Sequence, residues 1–135
     1  MKVYVLLASV ALCGCARAWP TMGPTTPQDV AVVQETALAS VRHDVSVRAE
    51  ITNRAAGNDG RAGWYNAGVA YFVAREINTY PVERMRELAV HEVCHAVGGF
   101  PYPHDTRHWC CMKRDGEIGY PPPTTVMGQW PTCLP

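Results

Sequence analysis

His91-Glu92-Val93-Cys94-His95 places two imidazoles and a carboxylate within a single turn of chain. At about 100° per residue in a helix, His91 and His95 lie about 40° apart on one face. Two imidazoles one turn apart can reach the same Zn²⁺ ion at about 2.0–2.1 Å. Glu92 projects about 100° from His91, beside the ion rather than on it. From there it can take a proton from water that zinc activates. Ala89, Val90, Val93, Ala96 and Val97 fall on the opposite side, so the segment has a core face and a histidine face. Four of the five histidines fall within residues 91–108. The chemistry this pattern suggests is zinc-assisted hydrolysis, with His91 and His95 as ligands and Glu92 as the base.

The segment HEVCHAVGG, residues 91–99, resembles the active-site helix of zincin metallopeptidases. His91-Glu92, His95 and Gly98 are similar to the metzincin opening H-E-x-x-H-x-x-G. The resemblance implies a third ligand returned to the metal after a sharp turn at the glycine, and a methionine in a tight turn beneath it. The usual third histidine falls at Pro101, a departure from the family pattern. His104 follows three residues later, and it is the expected third ligand. His108 ranks second and Asp105 third. Glu117, 22 residues after His95, is similar to the distal glutamate of gluzincins and gives an alternative. Gly116 and Gly119 speak against the helix that would carry it. Thr124-Thr125-Val126-Met127-Gly128 resembles a Met-turn, so Met127 is preferred to Met112 beneath the metal. The run His104-Asp105 and Cys110-Cys111-Met112 is similar to segments of disulfide-bearing metzincins. Tyr102 and Tyr120 could place a phenol near a tetrahedral intermediate, although ordinary packing explains them as well. The resemblance runs from Pro81 to Met127 and is specific only over residues 91–98.

Such a helix needs a domain around it. The chain has 135 residues, 47% hydrophobic and 18% charged, which suits one folded domain. Twelve basic residues balance twelve acidic ones, without the basic surplus of a nucleic-acid binder. Lys2 and the apolar run Val3–Leu12 read as an export signal, too short for a lasting membrane span. Leu12-Cys13-Gly14-Cys15 resembles a bacterial lipobox, in which Cys15 is lipidated and anchors the chain to a membrane. Ala16-Arg17-Ala18 offers a competing cleavage site that would release Trp19 as the first residue. The expected location is the cell envelope, or outside the cell. Cys94, Cys110, Cys111 and Cys133 then read as two disulfides of open connectivity. A vicinal Cys110–Cys111 bond fits disulfide geometry badly. Cys94 would bond Cys110 or Cys111 and so staple the loop after the helix. Its alternative role is a fourth zinc ligand.

The expected fold is a small α+β, zincin-like domain with its active-site helix on a short mixed sheet. Residues 1–15 form the signal with its lipobox, 16–28 a Pro/Thr-rich linker, and 29–135 the domain. Asp29 caps a helix reaching about Arg42, with Val30, Val33, Ala37, Leu38 and Val41 at helical spacing. Residues 45–52 alternate as a half-buried strand. Residues 53–63 read as a loop. Residues 64–77 read as a second strand, apolar on both faces and therefore interior. The metal helix spans about 81–97 and ends at Gly98-Gly99. Beyond it an irregular, disulfide-tied tail is expected. The corresponding function is zinc-dependent cleavage of peptide bonds in a peptide or protein substrate outside the cytoplasm, with residues 69–76 bordering the cleft. Two alternatives stand beside it, a gluzincin-like peptidase using Glu117 and a non-catalytic envelope protein with a structural zinc site.

Overall fold

The computed structural model describes residues 19–54, 60–98, 106–115 and 133. In chain order these form α1 (Pro27–Arg42), β1 (Arg48–Thr52), β2 (Gly63–Asn66), β3 (Val69–Val73), α2 (Ala74–Ile77), α3 (Met85–Gly98) and α4 (Thr106–Arg114), with a short 3₁₀ turn Val82–Arg84 leading into α3. The fold is α+β, with a three-stranded mixed sheet and disulfides in its C-terminal part.

α1 is capped three residues earlier than expected. Thr26 is its cap, Pro27 takes the first turn, and Asp29 is the third helical residue of a capping box. The Thr26 hydroxyl accepts from the Asp29 N–H at 3.1 Å, and Asp29 Oδ2 accepts from the Thr26 N–H at 3.0 Å. The buried stripe of α1 is Asp29, Val32, Thr36, Ala39 and Ser40, not the expected valine–leucine stripe. Val30, Leu38 and Val41 are exposed. The polar members can go inside because each has a partner. Thr36 donates to the Val32 carbonyl at 2.7 Å and Ser40 to the Val47 carbonyl at 3.2 Å.

The second half of the expected linker is docked on the domain. Met22 bridges Ile51, and the Thr52 hydroxyl donates to the Pro20 carbonyl at 2.7 Å.

The alternation expected over 45–52 holds in part: Val47 and Ile51 are buried while Ser46 and Arg48 are exposed, but Thr52 on the polar face is fully buried, and the strand itself begins only at Arg48. The expected single strand 64–77 is instead a hairpin followed by a helical turn. Ala67 and Gly68 take positive φ, 46° and 84°, which two-residue hairpin loops require. β3 runs antiparallel to β2 and parallel to β1, in the order β1-β3-β2. Its interior position agrees with its apolar faces. Trp64 stacks on Tyr71 across β2 and β3 at 5.0 Å.

α3 buries Met85, Ala89, Val90, Val93 and Cys94 and packs on α1 and α4. Within the stretch expected to be irregular, α4 is a nine-residue helix. It presents His108, Cys111 and Met112 inward at i, i+3 and i+4, and Asp115, just past its end, is buried at i+7. Cys94–Cys111 clips α4 to α3, and Cys110–Cys133 ties α4 to the C-terminal segment. These disulfides suggest an oxidising environment. Among the described residues, no helix is long and apolar enough to cross a membrane.

Candidate metal centre

His91 and His95 point from one face of α3 with ring centroids 4.9 Å apart. α4 brings His108 to the same place, 4.8 Å from the His91 ring and 4.4 Å from the His95 ring. One nitrogen from each ring lies within 4.8 Å of the others, so the three could hold a metal ion. His108 is 3% exposed and its Nε2 lies 3.1 Å from the His91 carbonyl. A carbonyl only accepts, so that bond puts the proton on Nε2 and leaves Nδ1 with the lone pair. Imidazole ligands of metals are commonly oriented by such a bond through the second nitrogen. Tyr65, on β2, stacks over His95 with centroids 6.4 Å apart.

Glu92 is buried beside this cluster. Its Oε2 lies 4.0 Å from His95 Nε2 and finds no hydrogen-bond partner among the described residues. Burial pushes the carboxyl up from 4.5 to about 8, and the Arg61 charge opposes this in part. β2 closes against the carboxylate through Gly63. A Cβ there would stand 2.9 Å from the Tyr71 carbonyl oxygen, 3.1 Å from Phe72 and 3.3 Å from Glu92 Oε1. The close approach of strand and helix therefore needs a glycine, although the position had been expected to end a loop.

His91, Glu92 and His95 thus stand together as the motif spacing suggests. His104, Asp105, Glu117, Met127, Tyr102, Tyr120 and Cys15 lie outside the described residues. Met112 is buried on α4. Cys94 is bonded to Cys111, as the staple reading expects, and this corrects the alternative reading of Cys94 as a fourth zinc ligand, since the disulfide leaves no thiolate. His108, ranked second for the third ligand, is the downstream candidate that lies at the cluster among the described residues. Thr106–Arg114 is free of Pro and Gly and ends on Lys113-Arg114, which favours a helix C-terminus, and its buried positions follow helical spacing.

The donor set suits a borderline cation. Three neutral imidazoles favour zinc, copper, iron or nickel over magnesium or calcium, which prefer oxygen. The orphaned buried carboxylate oxygen beside them is the kind of atom a nearby cation would stabilise. Compared with known proteins, the chain matches no family model and has no significant match among curated proteins or solved structures.

Proposed function

We propose that this chain is a zinc-dependent peptidase in which His91, His95 and His108 hold the ion and Glu92 is the general base. The observation that supports this best is the convergence of three imidazoles from two helices beside one buried, unpartnered carboxylate oxygen. A closed structural site has no use for that carboxyl, and burying it is costly. His108 is preferred as third ligand because it is buried at the cluster.

When bound, the ion supplies Lewis acidity to the scissile carbonyl and to water, and a positive charge that offsets the desolvation of Glu92. Glu92 Oε2 takes the proton of the attacking water as its oxygen adds to the carbonyl carbon. The same oxygen then delivers that proton to the amine nitrogen as the C–N bond breaks. The cleft border assigned to 69–76 moves to β2. β3 is flanked on both sides, whereas β2 has a strand neighbour on one side only among the described residues. The open edge of Gly63–Asn66 lies next to α3 and can pair with an extended peptide. The two disulfides, with the export signal and the lipid anchor at Cys15 expected from the sequence, fit a substrate met outside the cytoplasm.

The test combines metal content with a broad peptide library. The wild-type chain should carry about one zinc and cleave some members. Glu92→Gln should keep zinc and lose at least about a hundredfold in rate, the low end for general-base catalysis. Equal cleavage by Glu92→Gln would defeat the mechanism. A chain that holds zinc and cleaves nothing would favour a structural site.

A further inference from the structure

A second constellation lies deeper, between α1, α3 and α4. His43 caps the C-terminus of α1 and its side chain is 3% exposed. Its Nε2 lies 3.0 Å from Asp115 Oδ2, and its Nδ1 faces Cys111 Sγ at 3.6 Å. Cys111 and Cys94 are fully buried, and donor atoms of all three residues lie within 4.8 Å of one another. In the oxidised chain the two sulfurs are spent on each other.

We infer that reduction of Cys94–Cys111 converts this cluster into a second metal site, in which two thiolates and His43 Nδ1 bind a thiophilic d¹⁰ cation. The donor chemistry is right for such an ion. Thiolates select soft and borderline metals, and imidazole suits zinc and copper. The spacing is right as well. A nitrogen at about 2.0–2.1 Å and a sulfur at about 2.3 Å on one tetrahedral ion stand roughly 3.5 Å apart, against 3.6 Å for His43 Nδ1 and Cys111 Sγ. The outer partner is already in place. A carboxylate on the far nitrogen is the arrangement that fixes tautomer and orientation in metal-bound histidines. Here Asp115 supplies it and is itself held by Arg42 at 2.9 Å and Arg86 at 3.2 Å.

The reductant is a dithiol, either a small molecule or a dithiol oxidoreductase. Two electrons and two protons pass from it to the disulfide, it closes to its own disulfide, and Cys94 and Cys111 become thiols. On metal binding the two thiols release their protons to solvent. The ion then replaces the S–S bond as the link between α3 and α4, and the three-helix junction stays closed.

The probe is Cd²⁺, whose charge-transfer absorption with thiolates in the ultraviolet cannot arise from three imidazoles. The full chain is used with Cys13, Cys15, Cys110 and Cys133 each changed to Ser, which leaves only the Cys94–Cys111 pair. The oxidised chain should show no such band. After reduction with a phosphine the band should grow to saturation at one added ion per chain, and near-ultraviolet circular dichroism should stay native-like. His43→Ala in the same background should bind this ion at least roughly tenfold more weakly. Failure of the reduced chain to develop the band overturns the site, as does an unchanged titration in His43→Ala. If the four-serine chain does not fold, the unsubstituted chain and its His43→Ala variant, both reduced, are compared in the same titration. There too, identical affinities would refute the assignment.

Discussion

Replacing Glu92 with glutamine should reshape the pH dependence of stability in the metal-free chain. Burial lifts the carboxyl from 4.5 to about 8. A raised native value means the folded chain holds this proton more tightly than the unfolded chain does. Below 4.5 the group is protonated in both states and its contribution is fully present. Between 4.5 and about 8 the unfolded chain has released the proton and the native chain keeps it, so stability falls as pH rises. Above about 8 both states are ionised and the whole loss has been incurred. The interval corresponds to on the order of 5 kcal/mol. That rivals the entire net stability of many small domains, about 5–15 kcal/mol. Glutamine keeps the shape and carries no titrating proton. Urea unfolding of wild type and Glu92→Gln, with metal chelated, should therefore show an advantage for the variant that grows across this window. Titrating groups common to both chains largely cancel in the difference. Saturating zinc should shrink the difference, because a cation beside the carboxylate opposes its desolvation. A stability difference that stays constant between pH 4.5 and 8 would refute the reasoning.

Three further expectations test other contacts. His108→Ala should weaken zinc binding by more than the roughly 10–100-fold typical of losing an outer-shell partner; competition with a chromophoric chelator reads this, and unchanged affinity would remove His108 from the ligand set. Gly63→Ala forces a methyl group against the Tyr71 carbonyl and the Glu92 carboxylate. It should cost about 1–3 kcal/mol in chemical denaturation, the range for overpacking, and a neutral result would mean that β2 stands off α3. Burial alone would raise Asp115, but hydrogen bonds from His43, Arg42 and Arg86 and the Arg42 charge outweigh it and hold the carboxyl below 3.8. A depressed value stabilises above 3.8 and loses that contribution as pH falls through the native value. Asp115→Asn should thus be less stable than wild type at neutral pH, with the gap closing in acid; a gap independent of pH would contradict it.

What could be read from the sequence is what depends on nearest neighbours along one element. His91, Glu92 and His95 needed only helical spacing, and the core face of α3 follows from the same period. The strand Arg48–Thr52 follows from the alternation over 45–52, and the interior character of β3 from its two apolar faces. The errors arose where polar groups satisfy one another. α1 buries Thr36 and Ser40 because backbone carbonyls lie within reach, so hydrophobicity alone chose the wrong face. The hairpin was hidden because Ala67, not only a glycine, adopts positive φ in its turn.

The third imidazole depends on contacts that no local pattern records. His108 lies 17 residues from His91, and its approach requires α4 to dock on α3. Cys94 sits between the two histidines of α3, while Cys111 lies three residues beyond His108 on α4. The clip and the imidazole cluster therefore occupy neighbouring turns of the same helix pair. Whatever links Cys94 to Cys111 also fixes the distance from His108 to His91 and His95. Breaking that link without replacing it should loosen the histidine cluster before it unfolds the sheet, because β1 and β3 make no use of α4 for their pairing.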